Sequence, residues 1–182
     1  MSKLHSLNEV ISHCKKGDLY FQELLYKQFY GYALGICVRY INNREDALEA
    51  VNDSFIKVFK SFGTFRDNTD FKPWFRKILI NTSLDYKRRT MHFNDALEMT
   101  DHTPQTIYAS AIERLSVNDI LALMKHLNET QRTIFNLYEV DGYTHKEISL
   151  MLNIPESSSR TYLTRAKQAL QKLLITHSIY TK

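Results

Sequence analysis

Residues Leu121–Leu174 read LALMKHLNETQRTIFNLYEVDGYTHKEISLMLNIPESSSRTYLTRAKQALQKLL. Two short apolar-periodic segments, around Gln131–Tyr138 and Lys146–Leu152, precede a tight Asn153-Ile154-Pro155 break. A longer helical pattern follows and carries Arg160, Arg165, Lys167 and Lys172. A support helix, a sharp turn and a basic helix make a helix-turn-helix, whose last helix can enter a major groove. In that helix Leu163, Ala166, Leu170 and Leu173 fall on one stripe, the expected buried side. The same rotation turns Ser157, Ser158, Arg160, Thr161, Thr164 and Arg165 outward near the N-terminal half, the part that reaches base edges. Arg160 suits a bidentate guanine contact. The two serine hydroxyls and first-turn amides suit phosphate. Lys167 and Lys172 suit backbone or solvent.

The rest of the chain is also helical in pattern. Only 5 Gly and 3 Pro occur in 182 residues, too few for a hairpin-rich protein. A 43% hydrophobic fraction supplies a core. Asn8–Lys15 is a short amphipathic segment. Asp18 opens a helix to about Tyr40, with Leu19, Leu24, Leu25, Phe29, Tyr32, Ala33, Ile36, Cys37 and Tyr40 at three- and four-residue steps. Asn42-Asn43 breaks it, and a second helix runs from Arg44 to Phe62. Gly63–Asp70 is a polar loop. A third helix follows to Arg89, with Pro73 in its first turn. Trp74 in that helix reads as core beside Phe75 and Ile78 rather than as a stacking platform.

Charge is distributed in blocks. Glu45, Asp46, Glu49 and Asp53 against Arg44 give residues 44–53 a net of −3. Lys72, Arg76, Lys77, Lys87, Arg88 and Arg89 against Asp85 give residues 72–89 a net of +5. Residues 91–119 carry −4 and residues 155–182 carry +4. Two basic blocks are therefore separated by an acidic connector, although the formal total is only +4. Cys14 and Cys37 lack CxxC spacing and read as thiols of a reducing compartment. No apolar run is long enough to span a bilayer, and no signal-peptide core is present, so a cytoplasmic protein without membrane insertion is expected.

The fold class expected is all-α, with two small helical domains joined by a flexible linker. The boundaries are 1–90 for the first, 91–110 for the connector and 111–182 for the second. Several tokens occur in order: Arg44-Glu45-Asp46-Ala47, Val51-Asn52-Asp53-Ser54-Phe55-Ile56-Lys57-Val58-Phe59, and Phe71-Lys72-Pro73-Trp74-Phe75-Arg76-Lys77-Ile78. Asn81 and Leu84-Asp85-Tyr86-Lys87-Arg88-Arg89 close the first half. Leu127, Gln131-Arg132, Gly142-Tyr143-Thr144, Glu147-Ile148, Asn153-Ile154 and Leu163-Thr164-Arg165-Ala166 mark the second. With these the chain resembles the extracytoplasmic-function sigma factors of bacterial RNA polymerase, which keep domains 2 and 4 of the larger sigma architecture.

The resemblance implies an initiation subunit without catalytic residues, metal or cofactor. It implies core RNA polymerase and promoter DNA as partners, and an anti-sigma factor as antagonist. Glu45, Asp46, Glu49, Asn52, Asp53 and Ile56 would then dock on the polymerase; the alternative is a solvated acidic face. Arg66, Asn68, Lys77, Asn81, Lys87, Arg88 and Arg89 would serve the −10 element, with Thr64 and Asp67 as further polar groups of the loop. Ser157, Ser158, Arg160, Thr161, Thr164 and Arg165 would read the −35 element. Asp95, Glu98 and Asp101 would occupy a positively charged channel, or simply solubilise a tether. Many relatives have Gly-Thr-Val where Ser157-Ser158-Ser159 stands, Arg in place of Tyr162, and a capping Ser in place of Pro155. Ser159 thus removes an apolar packing point.

Two rival readings are open to test. A self-sufficient operator-binding regulator would share the second half but predicts dimeric binding to a palindrome. A small hydrolase would need a constellation that the seven scattered histidines do not form, since HExxH, phosphate-binding glycine loops and nucleophile elbows are missing. His145, near Glu147, reads as the solvated start of a helix.

Overall fold

The computed structural model describes residues 5–66, 69–90 and 123–180, with side chains to 89 in the first part and to 175 in the last. Every regular element among the described residues is helical. The chain divides into two compact units, Met1–Asn94 and Asp95–Lys182. The expected connector 91–110, and with it Asp95, Glu98 and Asp101, lies outside the described residues.

The first unit contains α1 (Leu7–Lys15), α2 (Leu19–Tyr40), α3 (Arg44–Ser61), a 3-10 turn (Phe62–Thr64) and α4 (Phe71–Thr90). Side-chain caps fix where the first three start. Ser6 accepts from Glu9 N, Asp18 from Tyr20 N, and Asn43 from Glu45 N and Asp46 N. Pro73 sits in the first turn of α4, where its missing N–H costs nothing. Helices α2, α3 and α4 pack on one another, and α1 lies against α2.

Aromatic rings fill the centre of this unit. Phe75 is fully buried and meets Phe29, Tyr32, Phe55 and Phe71 at centroid distances of 6.1, 6.3, 5.0 and 5.4 Å. Trp74 is half-buried against Phe62 and Phe65, at 5.8 and 4.8 Å, at the margin of the core rather than within it. The loop is less polar than its composition suggests, because Phe65 is buried. Lys15 Nζ donates to the Phe65 carbonyl at 3.2 Å and lies over the Phe65 ring, which ties α1 to the loop. Leu19 departs from its expected burial: it is 78% exposed at the start of α2, and Phe21 takes the inward position.

The second unit contains α5 (Glu129–Phe135), a π-helical turn (Asn136–Val140), α6 (His145–Leu152) and α7 (Glu156–Tyr180). Asn128 caps α5 by accepting from Gln131 N at 2.8 Å. The chain then widens, with Asp141 N donating to Asn136 O at 2.9 Å. Gly142, at φ +76°, reverses it, and Tyr143 N donates to Leu137 O. Ile134, Leu137, Ile148 and Ala166 form a fully buried centre, with Leu163 beside them.

Candidate polymerase and nucleic-acid interfaces

On α3, Glu45, Glu49, Asn52 and Ile56 follow one another at steps of four, three and four residues and are all exposed. Asp46 and Asp53 flank them, half-buried. The opposite side of the helix, with Ala47, Ala50, Val51, Ser54, Phe55 and Val58, is buried, so packing fixes the outward face. Two tyrosines hold polar groups of that face. Tyr26 Oη donates to Asn52 Oδ1 at 3.0 Å. Tyr86 donates to Asp46, and this bond, with burial and the charges of Asp46 and Glu49, pushes the Tyr86 hydroxyl up to about 12. Ile56, 49% exposed, is an apolar point amid the carboxylates. Such a face fits a cationic surface with apolar contacts.

The basic groups of the first unit are less uniform than the sequence suggests. Arg66, Lys77, Asn81, Arg88 and Arg89 are exposed. Lys87 is only 4% exposed, which corrects its expected role at a phosphate. It follows Ile80 by seven residues and Ser83 by four, both fully buried, and therefore shares the inner side of α4. Asn68 and Asp67 lie outside the described residues. Arg88 pairs with Asp85 at 2.9 Å, and Lys57 reaches the same carboxylate at 3.3 Å.

Between α3 and α4 lies a groove of about 420 Å³ lined by Lys57, Lys60, Ser61, Ile78, Asn81 and Thr82. It brings Asn81 together with two α3 cations. Thr82 Oγ1, on its wall, is buried without a hydrogen-bond partner. Lys60 and Thr82 were not singled out from sequence. Their one signal is helical phase, since Lys57 and Lys60 lie three residues apart on the side of α3 that meets α4.

The second unit builds its turn from local chemistry. Thr144 and Glu147 form a capping box: Glu147 N donates to Thr144 Oγ1 at 3.3 Å, and Thr144 N donates to Glu147 Oε2 at 2.8 Å. Helix α6 ends at Asn153 in the left-handed region, φ 53° and ψ 48°. Ser149 Oγ donates to the Ile154 carbonyl at 2.7 Å and closes the turn. Pro155 then feeds α7, its carbonyl accepting from Ser159 N at 3.2 Å.

Ser159, Leu163 and Ala166 are buried, at steps of four and three residues. This sets the rotation of α7. Ser157, Arg160, Thr161 and Thr164 are consequently exposed, while Ser158 and Arg165 are half-buried. Leu170 and Leu173 are also half-buried, so the expected stripe loosens toward the C-terminus. Arg160 pairs with Glu156 one turn earlier, which holds the guanidinium at the helix start. Thr161 and Thr164 hydroxyls donate back to the carbonyls of Ser157 and Arg160, each at 3.0 Å. Lys167 is exposed, as expected, and also meets Glu139 of the π turn at 2.6 Å.

The solvated reading of His145 is overturned. Its side chain is 8% exposed, stacked on Tyr138 at 4.4 Å, and its Nδ1 is hydrogen-bonded to Ser159 Oγ at 2.9 Å. Burial pushes the imidazole below its ordinary 6.5; Arg160 and Lys167 push the same way, and Glu156 opposes them. An unfolded chain therefore takes up this proton first. Above about pH 6.5 both states are neutral and the group has no effect. As pH falls below that value, the proton favours the unfolded chain and stability drops. Denaturant unfolding of the full chain from pH 7.5 to 5 should show this loss, and His145→Phe should reduce it.

Residues 25–92 match the family Sigma-70 region 2, and residues 118–170 match the family Sigma-70, region 4. These spans cover α3, α4 and most of α2 in the first unit, and α5, α6 and the first half of α7 in the second. The chain is 26% identical over 180 residues to the RNA polymerase sigma-H factor of Pseudomonas aeruginosa, covering 91% of this chain and 92% of that one. It is 24% identical over 178 residues to the ECF RNA polymerase sigma-E factor of Haemophilus influenzae, covering 89% and 92%. In fold it is similar to the sigma factor RpoE of Bartonella quintana, solved with the anti-sigma factor NepR. That match has a TM-score of 0.50 at 17% identity and covers 84% of this chain and 95% of that one. Among the described residues no helix is long and apolar enough to cross a membrane. With both regions present, in this order and over nearly the whole length of its relatives, the chain belongs to the extracytoplasmic-function sigma factors of RNA polymerase.

Proposed function

We propose that the two units divide the work of an initiation subunit. The first, expected to span residues 1–90, docks on core RNA polymerase through Glu45, Asp46, Glu49, Asn52, Asp53 and Ile56. It also engages the −10 element through Arg66, Asn68, Lys77, Asn81, Arg88 and Arg89. The second, expected over 111–182, reads the −35 element with Ser157, Ser158, Arg160, Thr161, Thr164 and Arg165. The observation that carries this division is the opposite character of two outward faces. One is a carboxylate face with an apolar anchor on α3; the other is a hydroxyl- and guanidinium-bearing first half of α7.

The chemistry of each step follows from these groups. Carboxylates on a rigid helix meet cations on the polymerase, and Tyr26 and Tyr86 keep Asn52 and Asp46 oriented before contact. The α3–α4 groove offers an amide, two hydroxyls, an apolar wall and two ammonium groups, the set needed to hold an unstacked base and its phosphate. On the upstream element, exchange of the Arg160–Glu156 pair for a guanine edge supplies base selection. Thr161 and Thr164 can turn their hydroxyls from their own helix carbonyls to DNA.

No step requires a catalytic group of this chain, and the protein works in the cytoplasm, where its template is. An anti-sigma factor that covers the α3 or α7 face would hold it inactive. A gel shift separates this reading from a self-sufficient operator binder. The chain alone should bind promoter DNA weakly and without sequence preference, and addition of core enzyme should confer both affinity and specificity. Arg160→Ala should lower initiation at promoters with a guanine in the upstream element by about tenfold, the worth of one bidentate contact. It should leave core binding unchanged. Equal loss of both would contradict the division of roles.

A further inference from the structure

We infer that His145 and Ser159 act together as a positioning pair that sets the rotation of α7 about its own axis, and so selects which side chains reach the upstream element. The inference rests on the proposed reading of that element by α7. It starts from an anomaly. Ser159 opens the buried stripe of α7, with no exposure, between Glu156-Ser157-Ser158 and the apolar Leu163. An apolar side chain would serve burial alone. A hydroxyl there needs a partner, and His145 supplies it from the first residue of α6 at 2.9 Å.

Apolar contacts are tolerant of small rotations, because they depend on area rather than direction. A hydrogen bond between two buried side chains is directional, and misalignment leaves a polar atom without a partner. The imidazole cannot move to follow α7. One face is stacked on Tyr138 with an interplanar angle of 24°, and its backbone belongs to the residue next to the capping Thr144. A rotation of α7 that carried Ser159 off the His145 nitrogen would also displace Arg160, its direct neighbour. The bond thus ties the side of α7 that faces the support helix to the side that faces DNA.

The charged and titratable groups around the ring are consistent with a neutral imidazole. Arg160 and Lys167 on α7 repel a proton there, Glu156 on α7 attracts one, and burial disfavours it most. Tyr138 faces it from the π turn, and Glu139 of that turn is engaged with Lys167. Lys146 and Glu147 continue its own helix, with Glu147 occupied in the capping box. In either neutral tautomer the pair is satisfied, since a serine hydroxyl both donates and accepts.

The test is a double-variant cycle in the full chain with core polymerase, read on a library of promoters varied in the upstream element. Ser159→Ala strands the buried ring nitrogen and should lower initiation at the preferred upstream element about tenfold. Its ranking of upstream sequences should also flatten. His145→Phe keeps the stacked ring, and the Ser159 hydroxyl can turn back to the Pro155 carbonyl, so its loss should be only a few-fold. Removing both partners should relieve the cost of the stranded nitrogen and recover stability, but the ranking of upstream sequences should stay flat, because apolar packing alone does not fix the rotation of α7. Core affinity should be unchanged throughout.

A loss that is uniform across the library, or a double variant that regains the wild-type ranking of upstream sequences, would overturn the positioning role and leave a packing role only. No loss in Ser159→Ala would overturn it as well. A wild-type chain indifferent to the upstream element would instead contradict the proposed reading by α7, and the pair's role with it.

Discussion

Reversal of charge at Glu49 and Asp53 together, to lysine, is expected to lower affinity for core RNA polymerase by about thirtyfold or more. Both residues lie on the outward side of α3, whose other side is locked into the unit by Val51, Phe55 and Val58. Both carboxylates are available there to a cationic partner. Like-charge juxtaposition across an interface costs several kcal/mol, and about 2 kcal/mol corresponds to the stated factor. Because long-range attraction is screened, the deficit should shrink as salt is raised. Equilibrium binding of the labelled chain to core enzyme at two ionic strengths measures both. Binding of promoter DNA by the isolated chain should not fall.

The second large effect concerns the fold itself. Phe75→Ala should destabilise the first unit by about 3–5 kcal/mol, the range for deleting a buried aromatic ring. Phe75 is where rings from α2, α3 and α4 converge, and it has no exposed surface. Its removal leaves a void that Phe29, Phe55 and Phe71 would have to collapse into together. A loss of that size is a large part of the stability of a small domain. Thermal unfolding followed by helical circular dichroism should show an early transition in the variant. By contrast, Leu19→Ala, at a side chain that is largely in water, should change stability little.

The helices were legible because their signals are local. Asp18, Asn43 and Thr144 are side-chain caps, and the apolar steps of α3 repeat at helical spacing. The turn of the second unit was legible from Asn153 and Pro155 for the same reason. What was not legible depends on how one helix is rolled against another. Lys87 and Lys77 look alike in sequence, yet the roll of α4 buries one and exposes the other. Leu19 satisfies the periodic pattern of α2, but it sits at the helix end, beyond the reach of its neighbours.

The candidate sites divide in the same way. The face of α3 and the outward half of α7 follow from period alone. The α3–α4 groove does not, because Lys60, Asn81 and Thr82 meet across two helices. His145 and Ser159 are polar residues 14 positions apart, and each read alone suggests solvent or a lost packing point. Only their mutual contact makes both sensible. Ion pairs such as Lys167–Glu139 and Arg88–Asp85 likewise depend on tertiary placement or rotamer, which composition does not fix.

Reconstituted transcription tests the central claim most directly. Sigma-free core polymerase should be supplied with the purified chain and a genomic promoter library, and the start sites mapped. The account predicts initiation at a defined subset of promoters sharing −10 and −35 elements, absent without the chain and reduced by Glu49→Lys/Asp53→Lys. Initiation that stays random, or is the same with and without the chain on a cognate polymerase, would contradict it.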